Sequence, residues 1–462
     1  MTPGARMEAA IELLGLIWAG NDPADRVGDE YFRKRRYAGS GDRRAVNERV
    51  YAILRHRARL DWWIERTGLG AGPGPRTRVI AELALEDKSS PQETARIFSG
   101  ATHCPEPLTA FENELAGALY GRPLNHADMP MPVMLEYPEW MDRSFSALWP
   151  ERLAEEMSAL NQQAPVDLRV NMLKTTPEAA LSSLGGDYLE AEPTPLSPIG
   201  LRLTAKARLA GTHAFKKGWI EVQDEGSQLI SLLCGARPGM NVIDFCAGGG
   251  GKALALAASM GADGKILGTL TACDISGYRL ERMIPRLQRA GAEQVQTRIV
   301  AARNDEWVAA NAGLSDRVLA DVPCTGTGAW RRDPNAKWRF TPDDLDDLLA
   351  LQQGILGLAR ILVKPGGRLI YATCSLLQEE NERQFAWFLE NHTDFMPLAI
   401  DQVWAETVGG PPPPTGPCLR LSPASTGTTR TSSESCESPR RCWRAYTMPT
   451  RSCPRASGPS SD

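Results

Sequence analysis

Asn241-Val-Ile-Asp-Phe-Cys-Ala-Gly-Gly-Gly-Gly-Lys252 reads as a buried strand, a glycine turn and the first residue of a helix. Val242 and Ile243 supply the apolar run of the strand, and Gly248–Gly251 allow the backbone to approach a ligand. A helix opening at Lys252 turns unpaired amides toward a negative group such as a carboxylate. Glycine turns after strands are common, so the weight of this one comes from its surroundings. Apolar strand candidates recur at 241–246, 266–274, 295–300, 317–322 and 367–373. Helix-period segments at 252–260, 277–290, 342–362 and 378–390 alternate with them. Such alternation predicts a parallel sheet with helical crossovers, and residues 238–400 are expected to form a Rossmann-like α/β domain.

Working outward, residues 1–128 read as all-helical. Amphipathic segments at Ala5–Ala19, Asp42–Glu65 and Pro91–Phe98 are separated by turns such as Gly68–Pro75. A proline-rich joint at Met129–Pro132 follows. Residues 133–237 then mix short helices with strand-like runs at Asp167–Asn171, Gly200–Leu203 and Trp219–Gln223, suggesting a small α/β module. A chain of 462 residues has room for two to four domains. Its 42% apolar and 23% charged residues are typical of a folded, soluble protein.

No apolar run reaches the roughly 18 residues that a membrane span requires, so no membrane association is expected. The ten cysteines include no Cys-x-x-Cys pair, which argues against structural zinc and a disulfide framework. A monomer without metal in a reducing cytoplasm is expected. The net charge of −4 conceals a basic stretch over residues 33–59, with ten Lys or Arg against Asp42 and Glu48. Two readings stand for it, a solvated helix face or a footprint for a phosphate backbone.

The chemistry gathers at the strand ends. The second strand closes on Thr271-Ala-Cys-Asp274, and an acid there can accept the ribose hydroxyls of a nucleoside cofactor. Asp244, the glycines and Asp274 together fit S-adenosylmethionine or a dinucleotide. The fourth strand discriminates, because it ends in Asp321-Val-Pro-Cys324. Methyl transfer to an exocyclic base amine commonly uses an aromatic residue at this turn. A thiol instead argues for attack on a ring carbon, since C5 of cytosine is a poor nucleophile until a thiolate adds at C6. Asp321 is placed to hydrogen-bond or protonate N3 during that addition. The fifth strand ends in Tyr371-Ala-Thr-Cys374-Ser375 and delivers a second thiol to the same edge. These residues alone leave open which of Cys324 and Cys374 attacks. Cys234, Cys246 and Cys273 lack such a setting and read as core or lining residues. Arg331, Arg332, Lys337 and Arg339 follow the Pro-Cys turn with Trp338 among them, a composition suited to single-stranded RNA and an unstacked base.

Asp321-x-Pro-Cys-Thr-Gly, then Thr-Cys-Ser, after a Cys-Ala-x-x-Gly-Gly-Lys turn, resembles the RNA cytosine-C5 methyltransferases of the Nop/Sun family. Gln223–Ser227 and Leu168-Arg-Val-Asn171 are similar to further segments of it, so the resemblance spans about residues 130–400. The helical N-terminal part resembles the NusB-like RNA-binding domain of the family's ribosomal-RNA members. The resemblance implies that Cys374 attacks C6, that Cys324 assists release of the methylated RNA, and that Asp321 contacts the cytosine. It implies that Cys246, Ala247, Gly248, Gly249, Gly250, Gly251, Lys252, Asp274, Asp305 and Asp321 hold S-adenosylmethionine. Arg169 joins the four basic residues after Cys324 as expected RNA contacts, with ribosomal RNA as the favoured partner. The alternatives are the same reaction on transfer RNA, or a non-catalytic RNA-binding protein of ribosome assembly.

Two departures stand out. Gly249 replaces a proline and Ala253 a threonine of the family's turn, implying a looser loop. From Ser422 to Asp462 the chain has no Leu, Ile, Val, Phe or Lys, so residues 411–462 are expected to be a disordered or frame-shifted tail. A frame shift near residue 428 predicts that an alternate reading frame of the gene encodes a hydrophobic strand. Sequencing the gene checks this, and an alternate frame with no such strand rules the shift out.

Overall fold

Thr2 accepts a hydrogen bond from the Ala5 amide and Pro3 occupies the first turn, so the chain enters its first helix, Pro3–Ala19, at once. The structure, a computed structural model, describes residues 1–20, 22–70, 72–300, 305–413, 418–424 and 443–449. The chain divides into two units. One comprises Met1–Gln162 and Trp330–Thr341, the other Gln163–Ala329 and Pro342–Asp462. The division falls after Gln162, not at the proline-rich joint, and the segment that follows the Pro-Cys turn belongs with the N-terminal helices.

The first unit is helical, with a core that includes Leu13, Leu14, Ile17, Val50, Ile53, Leu54, Leu60 and Trp63. Capping boxes at Ser90/Glu93 and Thr109/Glu112 start two of its helices. The single helix expected over Asp42–Glu65 is two, Ser40–Arg55 and Arg57–Arg66. The cause is Glu136, a buried residue at φ +61. Its carboxylate accepts from the amides of Ala58 and Arg59 at 2.9 and 3.2 Å, and from Arg59 Nε at 2.9 Å. A carboxylate at a helix start satisfies donors that a continuous helix would have paired with its own carbonyls.

The second unit contains two main sheets. Strands β1 (Val166–Val170), β2 (Ala191–Pro193), β3 (Gly200–Leu203) and β4 (Ile220–Val222) form an antiparallel sheet in the order β2-β3-β1-β4. Asp167 and Arg202 stand opposite one another on β1 and β3. Both are buried, and they make a two-pronged ion pair at 2.6 and 2.9 Å.

The larger sheet is built from β5 (Asn241–Asp244), β8 (Thr269–Asp274), β9 (Gln296–Ile299), β10 (Ser315–Asp321), β11 (Val363–Thr373), β12 (Leu419–Leu421) and β13 (Trp443–Pro449); β6 (Gly261–Ala262) and β7 (Lys265–Ile266) make a separate small hairpin. Its order is β12-β13-β11-β10-β5-β8-β9, with parallel pairing from β11 to β9. The strand expected over 266–274 breaks at Gly268, where φ is +100 and a Cβ would lie 2.2 Å from the Met240 carbonyl oxygen. Strand order departs from β5 in both directions, the arrangement that opens a ligand crevice at the carboxyl edge. Asp244, Asp274, Asp321 and the thiol after Thr373 all reach that edge.

The expected tail is corrected in two places. Leu419 and Leu421 of β12 are core residues, and β13 pairs antiparallel with β11 from Thr373↔Arg444 to Arg368↔Pro449. Backbone pairing needs no aliphatic side chain, and Met448 is buried in the core beside Leu369 and Tyr371. The free edge of β11 is thereby covered. The expected frame change near residue 428 lies outside the described residues. Among the described residues, no helix is long and apolar enough to cross a membrane, and no group of three or more His, Cys, Asp or Glu is placed to hold a metal.

Glu136→Ala removes two amide acceptors and leaves the Arg59 guanidinium without its buried partner. It is expected to destabilise the first unit by about 3 kcal/mol or more. Amide hydrogen exchange should rise across Arg57–Arg66 and stay unchanged in Gly251–Ser259. Unchanged exchange in both helices would contradict the role given to Glu136.

Candidate active site

A cavity of about 560 Å³ opens at the carboxyl edge of the large sheet. Phe245, Ile275, Val300, Leu351, Ile355 and Leu358 give it apolar walls, and Cys246, Gly248, Asp274, Arg279 and Asp321 bring polar groups. Its size falls within the roughly 300–1,000 Å³ common to cofactor pockets. Asp274 accepts from the amides of Gly248 and Ser276, both at 2.8 Å, and these two bonds aim its carboxylate. A carboxylate has about four acceptor positions, so vicinal ribose hydroxyls can still be received.

The glycine turn is braced from outside. Arg169 donates to the Gly251 carbonyl at 2.8 Å, and Arg286 donates to the Gly249 carbonyl. Arg169 stands on β1 and is held by Gln223, and Arg286 is tied to the strand module through Glu221. The looseness expected from Gly249 is countered by these bonds. Gly250 is required as glycine, since its φ is +83 and a Cβ would stand 2.3 Å from Met283 Cγ. Lys252, the second residue of the helix that follows, reaches across to Asp321 Oδ2 at 2.5 Å.

Beneath the turn lies Asp244, fully buried, with the Ala253 amide and the Lys252 charge as its stabilising neighbours. Burial, then the charge of Asp321, pushes its carboxyl up to about 7, against the opposing pull of Lys252. Below pH 7 the group is mostly neutral; a cation in the crevice would draw it into its charged form.

The two thiols meet as their strands predict. Cys324 Sγ and Cys374 Sγ lie 3.4 Å apart, both half-buried, and no disulfide joins them. The Gly328 amide donates to the Cys374 carbonyl at 2.8 Å. The Cys324 thiol is pushed well up, first by its hydrogen bond with Cys374 and then by burial. Burial raises Cys234, Cys246 and Cys273 too; Cys246 lines the cavity, while Cys234 and Cys273 sit in the core.

Other expected site residues lie elsewhere. Asp305 caps the helix Glu306–Ala310, accepting from the amides of Trp307 and Val308 at 2.9 and 3.3 Å, and is not among the cavity's lining residues. Arg169, Arg331 and Lys337 were expected to face RNA and are instead buried. Arg169 braces the cofactor turn, and burial pushes its guanidinium down to about 10. Lys337 donates to Asn161 Oδ1 at 2.7 Å within the helical unit, and burial pushes it down to about 7. Arg332 and Arg339 stay partly exposed, although Arg339 is engaged with Asp333 at 3.0 Å. Much of the basic stretch at 33–59 is paired: Arg35 with Glu12, Arg44 with Glu48, Arg49 with Asp87 and Arg59 with Glu136. Arg33, Arg36 and Tyr37 remain exposed.

A glycine turn over an apolar cavity, with acids at three neighbouring strand ends, fits S-adenosylmethionine. Apolar walls suit its adenine, Asp274 its ribose, and the acidic floor its positive charge. Fold and site together define an S-adenosylmethionine-dependent methyltransferase. A family model described as 16S rRNA methyltransferase RsmB/F matches residues 232–412, and a ferredoxin-like domain model of RsmF/B-like methyltransferases matches residues 137–210. The probable ribosomal RNA small subunit methyltransferase B of Synechocystis is 32% identical over 372 residues, 77% of this chain and 82% of that protein. The ribosomal RNA small subunit methyltransferase B of Erwinia tasmaniensis is 31% identical over 376 residues, 77% of this chain and 84% of that protein. The crystal structure of PH0851 shares the fold at 24% identity and a TM-score of 0.74, covering 97% of this chain and 99% of that one. A methyltransferase homologue from Pyrococcus horikoshii, 24% identical with a TM-score of 0.55, covers 69% of this chain and 97% of its own. The chain belongs to the RsmB/F family of 16S rRNA methyltransferases.

The raised carboxyl of Asp244 makes a signed prediction. Its folded value of about 7 stands above an unfolded value of about 3.9. The stability it contributes is therefore full below about pH 4 and is lost as pH rises through 7. Asp244→Asn lacks this loss, so its free energy of unfolding should gain on the wild type between pH 5 and 8.5, on the order of a few kcal/mol. A gap that does not change with pH would show that the carboxyl is not raised.

Proposed function

We propose that this methyltransferase modifies C5 of cytosine in ribosomal RNA through a covalent adduct between Cys374 and C6 of the base. The 3.4 Å approach of two thiols, on a turn and a strand end beside the cavity that Asp321 lines, carries this reading. The curated relatives support RNA of the small ribosomal subunit as the substrate, since that is what their names say they act on.

The thiolate of Cys374 adds to C6, and N3 takes up a proton through Asp321, the Lys252 ammonium paired with that carboxylate being the proton source. S-adenosylmethionine supplies an electrophilic methyl group on a sulfonium. Once C5 carries the methyl, its proton must leave before the C6–S bond can break. Cys324, adjacent to Cys374, is placed to accept that proton as a thiolate, after its own thiol proton has passed to water. The division of roles between the two thiols follows the family resemblance. RNA contact is assigned to the partly exposed Arg332 in one segment and to the exposed Arg33 and Arg36 beside Tyr37 in another.

Purified protein is incubated with labelled S-adenosylmethionine and undermodified ribosomal RNA. Cys374→Ala is expected to abolish transfer, and Cys324→Ala to accumulate a protein–RNA adduct. Asp274→Ala should weaken cofactor binding about tenfold or more, in keeping with lost hydrogen bonds to a charged group. Transfer that survives Cys374→Ala would remove the nucleophile from this account, and label entering transfer RNA alone would move the substrate.

A further inference from the structure

Behind the two thiols lies a buried polar network that the mechanism above does not use. Glu380 is fully buried in the turn that precedes the helix Glu382–Asn391. Its Oε1 accepts from the Thr325 amide at 2.9 Å and from Gln352 Nε2 at 3.0 Å, and its Oε2 accepts from Thr325 Oγ1 at 2.5 Å. Thr325 follows Cys324, so the carboxylate grips the residue beside one thiol by both backbone and side chain. Gln352 donates also to the Pro323 carbonyl at 2.9 Å, holding the residue on the other side of that thiol.

The same network reaches the second thiol. Thr325 Oγ1 lies 3.2 Å from Ser375 Oγ, and Thr327 Oγ1 lies 3.3 Å from it. Ser375 follows Cys374. Asn381, next to Glu380, donates to the carbonyls of Ser375 and Leu377 at 3.1 and 2.6 Å and accepts from Thr373 Oγ1 at 2.7 Å. Tyr371 on β11 donates to the Glu380 carbonyl at 2.6 Å. Each cysteine is thus flanked by residues fastened to the 380–381 turn. A buried carboxylate with three donors aimed at it is stable in place, and removing it leaves those donors unpaired.

We propose that Glu380 is a positioning residue for the covalent chemistry: its carboxylate clamps the Cys324 turn to the Cys374 strand end and so holds the two sulfurs within reach of one base. The proposal rests on the reading of these cysteines as nucleophile and release group. A misplacement of about 1 Å in such a pair costs on the order of a hundredfold in rate.

Two variants separate position from charge. Glu380→Gln keeps the shape and both acceptor contacts at Oε1 but loses the charge. Glu380→Asp keeps the charge but shortens the reach by one methylene. The first readout requires no RNA: diamide oxidation of the thiol pair in the full-length protein, followed by mass spectrometry of the Cys324–Cys374 disulfide. Two thiols give up two electrons and two protons, and the azo group of diamide takes them up as the hydrazine. The second readout is methyl transfer, with kcat and the KM for S-adenosylmethionine measured separately. Glu380→Asp is expected to slow disulfide formation and lower kcat, each by about tenfold or more, with that KM unchanged. Glu380→Gln should stay within about threefold of the wild type in both, since Oε1 keeps its two donors and the new amide N–H can donate to Thr325 Oγ1, which the hydroxyl can accept.

Circular dichroism establishes that each variant is folded. If Glu380→Asp is not, Thr325→Val, which removes only the Oγ1 contacts, takes its place with the same expectation. Wild-type rates in Glu380→Asp or its substitute overturn the clamp, as does a large loss in Glu380→Gln. A wild-type protein that forms the disulfide but methylates no RNA would sink the functional reading and leave the clamp standing.

Discussion

Lys252 meets Asp321 across 2.5 Å, and the arrangement of the site depends on that ion pair. A parallel sheet brings its strand ends to one edge, and here three neighbouring ends carry Asp244, Asp274 and Asp321. Carboxylates gathered at one buried edge repel one another. Two backbone amides satisfy Asp274, and Lys252 neutralises Asp321. Asp244 is raised first by its burial and then by the charge of Asp321, against the pull of Lys252. An acidic floor of this kind suits a positively charged cofactor. The same lysine ties the glycine turn to the strand end that leads to Cys324, joining cofactor site and thiol site in one electrostatic unit.

Local sequence made the catalytic domain legible because its signals are local. The helices expected at 277–290 and 342–362 are found at Gly277–Ala290 and Pro342–Leu362, since long amphipathic periods survive tertiary context. Each of the five strands expected there is present in the large sheet, shifted by a few residues or, at Gly268, broken. Asp274, Asp321, Cys246 and Gly248 line one cavity because parallel strands leave no other edge for them. The two thiols followed from the same topology.

What escaped the sequence depends on partners far away along the chain. Glu380 stands in Gln378-Glu-Glu-Asn-Glu382, a run that reads as the solvated start of a helix. Its burial follows from Thr325 and Gln352, 55 and 28 residues distant, and no periodicity carries that information. Arg169 looked like a surface cation until its carbonyl partner, Gly251, was found 82 residues on. The same holds for Arg331 and Lys337, whose basic, aromatic-flanked segment packs into the helical unit and fills it with cations held by neutral acceptors such as Asn161. Composition misled differently at the C-terminus. Absence of aliphatic residues predicted disorder throughout, yet Trp443–Pro449 supplies the backbone that the exposed edge of β11 lacked.

The central claim is that Cys374 forms the bond to the base, and a trapped adduct tests it most directly. RNA bearing 5-fluorocytidine at the target cannot lose a proton from C5, so the adduct persists after methyl transfer. Proteolysis and mass spectrometry of the trapped complex should place the methylated fluorocytidine on the peptide containing Cys374. A nucleotide attached to Cys324, or no covalent complex with RNA that is methylated normally in its unfluorinated form, would contradict it.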